Sequence, residues 1–272
     1  MLVPLILILS NGLAVWAGLY AGLIWIPVVF FLSFAGLSLL ATAVVWALTL
    51  PIDRDTPRQE DSPFYRKLAM VSIQALIQLL QVRIYMKGTE KLPREGRFLL
   101  VCNHNFAADP GILLHALPDC QLAFISKKEN RDLFIVGRIM HAMLCQTIDR
   151  ENDRAALKTI LECIRLIKED KASIAVFPEG ATNSDNDLHP FRPGVFRIAQ
   201  KTKVPIVVCT LRGTRDILKN GLRLKPTDVH LHLLRVIGPE EYEGMKTTEI
   251  SDLVWSIMSD DLGPESVLPG NE

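Results

Sequence analysis

Residues 97–109 read RFLLVCNHNFAAD, and this stretch decides the fold. Its apolar run is a strand leading into a polar turn, and Asp109-Pro110 then reads as a helix N-cap followed by proline at the first helical position. That helix runs on through GILLHAL. The same alternation extends in both directions. RIYMKG, QLAFIS, ASIAVF, VPIVVCTL and VHLHLLRVI read as strands. ENDRAALKTILECIRLIKED reads as a long amphipathic helix, with Ala155, Ile160, Cys163, Ile164 and Ile167 near helical spacing. Further helices are expected from Pro193-Gly194 through VFRIAQKTK and across EISDLVWSIM, with a loop from Gly263 onward. Strands alternating with helices predict an α/β domain with a mixed, largely parallel central sheet flanked by helices.

Ahead of this domain the chemistry changes. The chain has 272 residues and equal numbers of basic and acidic side chains, 30 of each, yet none of them, and no histidine, precedes Asp53. A membrane span needs roughly 20 apolar residues, so residues 1–52 are expected to form a two-helix membrane anchor turning near Tyr20-Ala21-Gly22. Trp16, Tyr20 and Trp25 suit an interface. The absence of a basic leader and the length of the run argue against a cleaved signal peptide. Arg54, Arg58, Arg66 and Lys67 follow at once, which predicts a cytoplasmic-membrane protein whose soluble part faces the cytoplasm. Residues 53–82 are expected as an amphipathic linker helix, lying on the bilayer or on the domain, and residues 83–272 as the α/β domain. Zero net charge argues against a dedicated nucleic-acid binder. The five cysteines, Cys102, Cys120, Cys145, Cys163 and Cys209, contain no C-x-x-C pair and read as small buried apolar residues in a reducing compartment.

Four polar constellations carry possible chemistry. A strand delivers His104 into a loop, and Asp109 lies five residues on. Across such a junction a carboxylate can fix the imidazole tautomer and stabilise the imidazolium formed when histidine takes a proton. Alone, H-x4-D is also what a capping aspartate beside an incidental histidine looks like. Phe177-Pro178-Glu179-Gly180 follows a strand, at the edge where α/β sheets place ligands. Arg150, in Thr147-Ile148-Asp149-Arg150, offers a planar fork for phosphate or a surface ion pair. Lys127-Lys128-Glu129 is, by itself, a solvated charge cluster. No His, Cys and carboxylate group has zinc spacing, so no metal is expected.

In this order NHNFAADP, SKKEN, IDR, FPEGATNS, PFRPGVFRIA and VPIVV resemble the glycerolipid acyltransferase family, in particular bacterial 1-acyl-glycerol-3-phosphate acyltransferases and related lysophospholipid acyltransferases. The resemblance implies that His104 is the general base on a glycerol hydroxyl and that Asp109 orients it. It implies acyl-CoA or acyl-carrier protein as donor substrate, with no cofactor, and a lysophospholipid acceptor drawn from the bilayer. Asn103, Lys127, Lys128, Arg150, Glu179, Gly180, Thr182 and Arg192 become substrate-binding candidates. Two departures stand out. Ala181-Thr182 replaces the family's Thr-Arg, removing one phosphate-binding cation, so Arg192 or a lysine compensates or the acceptor is another lysophospholipid. Thr182, Asn183 and Ser184 can still donate hydrogen bonds. Leu144 stands where the family has glycine, six residues before Arg150.

Overall fold

The computed structural model describes residues 2–182 and 187–263. Asn183, Ser184 and the tail beyond Gly263 lie outside the described residues. Two long helices come first, α1 (Leu2–Ala21) and α2 (Trp25–Thr49), both long and apolar enough to cross a membrane. The turn between them falls at 22–24, later than expected, because Gly22 supplies the positive φ of 102° that Tyr20 and Ala21 would not readily adopt. Ser10, Ala14 and Gly18 are buried, four residues apart, on α1. A Cβ on Gly18 would lie 2.6 Å from Ile26, so small side chains let the helices approach closely. Most other large side chains of the pair are exposed, including Leu19, Leu23, Ile24, Phe31 and Leu39.

Helix α3 (Pro63–Leu79) follows an N-cap serine, Ser62. One face of it, Ala69 with Met70, Ile73 and Ile77, packs on the domain, whereas Phe64, Val71, Leu76 and Leu79 stay exposed. The linker helix is therefore docked on the protein. Arg66, read from sequence as a membrane-flanking cation, is tied inward to Asp61 at 2.6 Å and to the carbonyl of Leu122.

The domain then runs β1 (Val82–Lys87), β2 (Leu99–Cys102), α4 (Asp109–Ala116), β3 (Leu122–Lys127), α5 (Val136–Ala142), β4 (Gln146–Ile148), α6 (Asp153–Lys168), β5 (Ser173–Val176), α7 (Arg197–Thr202), β6 (Ile206–Arg212), α8 (Ile217–Leu222), β7 (Thr227–Ile237) and α9 (Thr247–Leu262). The seven strands are ordered β1-β7-β6-β2-β5-β3-β4. All neighbours are parallel except β6 and β7, so the sheet is mixed and mostly parallel. Sequence reading missed α5, β4 and α8, each too short to show a period.

Strands β2 and β5 lie in the middle, buried along their whole length, and each face of the sheet meets an apolar layer. One layer joins α6, α7 and α9 to the sheet, and the other joins α3, α4 and α5. Cys102, Cys163 and Cys209 are buried free thiols, whereas Cys120 and Cys145 are partly exposed. Leu144 adopts a left-handed φ of 63° in the tight turn before β4. That conformation costs a non-glycine residue about 1–2 kcal/mol. The Leu144 side chain is buried in the core, and full burial of a leucine is worth about 1.5–3 kcal/mol. The loop thus keeps a glycine-like backbone with a leucine in it.

Candidate active site

β2 is buried on both sides, so its carboxyl end delivers the next residues directly to the sheet edge. Asn103 comes first and is 1% exposed. Its Oδ1 accepts from the N–H of Leu211 at 2.7 Å and its Nδ2 donates to the Leu211 carbonyl at 2.9 Å. Both ends of the amide are therefore engaged in locking β2 to β6. Asn103, a substrate-binding candidate by resemblance, fixes the loop through these two bonds.

His104 follows. Its Nδ1 lies 2.9 Å from Asp109 Oδ2. The same oxygen accepts from the backbone N–H groups of Asn105 and Phe106, each at 2.8 Å. Asp109 is thus not the helix cap. Ala108 is the cap residue of α4, with no side-chain bond, and Asp109 is the first helical residue with its carboxylate turned back into the loop. An oxygen that accepts from two amides also accepts from the ring, so Nδ1 carries the hydrogen and Nε2 presents its lone pair. Thr182 Oγ1 lies 3.0 Å from that Nε2. The Phe177 ring stacks on the imidazole at a centroid distance of 4.2 Å, which fixes the ring plane.

The loop after β5 supports this arrangement from the other side. Glu179 is 7% exposed. Its Oε1 accepts from the His104 N–H at 2.8 Å and its Oε2 from the His189 N–H at 3.0 Å. This carboxylate, a substrate-binding candidate by resemblance, holds the backbone of the histidine. Next to it Gly180 has a φ of 79°. A Cβ there would lie 2.8 Å from Arg192 Nε and 3.7 Å from Arg150 Cζ. The glycine makes room for two guanidinium groups, which converge above it. Among the described residues neither guanidinium has a hydrogen-bond or ion-pair partner. Burial, and the neighbouring Arg192, hold the Arg150 pKa below the ordinary arginine value.

The two lysines fare differently. Lys128 pairs with Asp149 at 2.9 Å, and the hydrogen bond raises the lysine pKa and lowers that of the aspartate. Lys128 lines a hollow beside residues 52–55. Lys127 ends β3 and is exposed. Neither is drawn to the arginine pair by a described bond. Sequence reading singled out Phe177 only as part of its motif, and it passed over the segment after β6, where Arg215, Leu218, Lys219 and Leu222 face a hollow shared with Phe106 and Thr182. Their spacing of three, four and seven residues was the available signal.

A histidine whose Nε2 meets a threonine hydroxyl, a carboxylate behind it and a cation pair nearby are the groups that an acyl-transfer site needs. The Acyltransferase family model matches residues 83–212, a little under half of the chain, and with the relatives that follow it makes the protein an acyltransferase. The 1-acyl-sn-glycerol-3-phosphate acyltransferase of Cocos nucifera is 29% identical over 236 residues, covering 86% of this chain and 74% of that protein. The enzyme of that name from Borreliella burgdorferi is 27% identical over 192 residues, covering 68% and 76%. The crystal structure of the 1-acyl-sn-glycerophosphate (LPA) acyltransferase PlsC from Thermotoga maritima matches with a TM-score of 0.61 and 23% identity, over 82% of this chain and 87% of that one. That likeness is one of fold.

Proposed function

We propose that the protein transfers a fatty acyl group from acyl-CoA or acyl-carrier protein to the free glycerol hydroxyl of 1-acyl-glycerol 3-phosphate, giving phosphatidic acid. The observation that carries this reading is the convergence of Arg150 and Arg192 over Gly180. Two like charges brought together without a described counter-ion suit a phosphate monoester, whose dianion matches two planar forks. Arg192 thereby replaces the cation lost at position 182.

The chemistry follows from the His104 geometry. The acceptor hydroxyl takes the place of the Thr182 hydroxyl at Nε2 and gives up its proton there. Its oxygen attacks the thioester carbonyl carbon. The imidazolium is stabilised by Asp109, behind Nδ1. As the carbon–sulfur bond breaks, Nε2 returns the proton to the departing sulfur, leaving ester and thiol. Every atom is accounted for without a cofactor. The apolar helices α1 and α2 hold the domain at the bilayer that supplies the acceptor, and the cations from Arg54 to Lys67 favour a cytoplasmic-membrane protein with the domain facing the cytoplasm.

The test is acyl transfer by purified protein in lipid–detergent micelles, with lysophosphatidic acid and lysophosphatidylcholine as competing acceptors. His104→Ala should abolish turnover. Arg192→Ala should raise KM for lysophosphatidic acid by about 10- to 100-fold, the worth of one charged hydrogen bond, and leave kcat nearly unchanged. Preference of the unmodified protein for lysophosphatidylcholine would favour the second reading, phospholipid remodelling, which the neutral Thr182 supports.

A further inference from the structure

Strand β2, which delivers His104, lies between β5 and β6 in the sheet. The arginine pair comes from the β5 and β4 loops. The opposite flank, beyond β6, holds a hollow of about 430 Å³. Ligand pockets typically measure about 300–1,000 Å³. Phe106 and Thr182, from the loops after β2 and β5, line it together with Arg215, Leu218, Lys219 and Leu222, from the segment after β6. Since the Thr182 hydroxyl contacts Nε2, the hollow begins one side chain from the reacting nitrogen.

Its composition is uneven. Leu218 and Leu222 are 51% and 78% exposed, side by side on α8. Lys219 reaches only Asp216, at 4.0 Å, and no described carboxylate pairs with Arg215. Apolar side chains interleaved with two exposed cations, one of them only loosely paired, fit a long thin ligand with an anionic end. Both thioester donors present that chemistry, as a chain of methylene and amide groups carrying sulfur at one end and phosphate at the other.

Taking the acyl-transfer reading as given, we propose that this hollow is the donor site: the phosphopantetheine arm lies along Leu218 and Leu222, its phosphate on Arg215 and Lys219, its thioester beside His104. The two substrates then approach His104 from opposite flanks, the acceptor over β5 and the donor over β6. The shared phosphate makes the site common to acyl-CoA and acyl-carrier protein.

The decisive variant is Arg215→Glu with Lys219→Glu, both on exposed side chains whose change leaves the core untouched. Coenzyme A alone, titrated calorimetrically into intact protein, should bind at least tenfold more weakly to the variant. KM for acyl-CoA and for acyl-carrier protein should rise together by a similar factor. Discrimination between acyl-CoA and a phosphate-free thioester, acyl-N-acetylcysteamine, should fall at least tenfold, while KM for lysophosphatidic acid stays within twofold. Equal coenzyme A binding by both proteins overturns the site. A loss confined to acyl-carrier protein overturns the shared phosphate in favour of a protein–protein contact. Reduced pelleting with anionic phosphatidylglycerol vesicles, with both substrates weakened alike, overturns it in favour of a membrane contact. If coenzyme A binding drops as expected but no lysophospholipid is acylated, the donor site stands and the proposed reaction falls.

Discussion

The loop from Asn103 to Asp109 and the arginine pair over Gly180 are neighbours built on opposite principles. In the loop Asn103 is held by Leu211, and Asp109 Oδ2 by two amides and the imidazole, while Asp109 Oδ1 and Asn105 Oδ1 are buried without a described hydrogen-bond partner. The buried Glu179 carboxylate accepts the His104 amide. Arg150 and Arg192 are left without a described partner, two like charges side by side. The difference teaches where the protein places its rigidity. A base must be preorganised, because a misplaced imidazole loses rate at once. A phosphate clamp must keep its charge available, because a guanidinium already paired would gain little from a new anion.

Three substitutions can break or sharpen this contrast. Asp109→Asn should have the largest effect. The amide can still accept from the loop, but it would leave the imidazole in the wrong tautomer, a change worth about 10⁴-fold in kcat in a comparable dyad. Pre-steady-state acyl transfer measures it, and a loss below tenfold would mean that Asp109 serves the loop alone. Glu179→Gln comes next. Its NH2 would face a backbone N–H, and an unsatisfied buried pair costs about 1–3 kcal/mol, so kcat should fall about 10- to 100-fold as His104 shifts. KM for lysophosphatidic acid should stay within threefold. A rise in KM alone would put Glu179 with the clamp. Thr182→Val should be the mildest. If the Thr182 hydroxyl only marks where the acceptor oxygen goes, kcat should stay within twofold. Abolished turnover would make Thr182 a nucleophile and require an acyl-enzyme, which intact-protein mass spectrometry would detect.

Much of the fold was legible in the chain. The apolar runs at β2, β5 and β6 are buried nearly throughout, and such runs announce themselves. β4 has three residues and α8 six, too few for any periodicity, and both escaped. At the site, His104 and Asp109 were readable because one strand–loop–helix unit brings them together. Asn103 and Glu179 were singled out as polar residues in these segments, but their bonds within the protein were not legible. Their partners, Leu211 and the His104 amide, lie 108 and 75 residues away, beyond any local pattern.

The sequence by itself determined the charge-free leading segment, the α/β alternation and the histidine with its carboxylate, since each depends on composition or on spacing within one unit. Only the tertiary structure decided what each polar group faces. It turned Asp109 away from its helix and gathered Arg150 and Arg192 from separate loops over Gly180. It also set Arg215 and Lys219 on the far flank of the same histidine. The physical reason is that a parallel sheet collects the carboxyl ends of distant strands along one edge, so the site's neighbours are set by strand order rather than by distance along the chain.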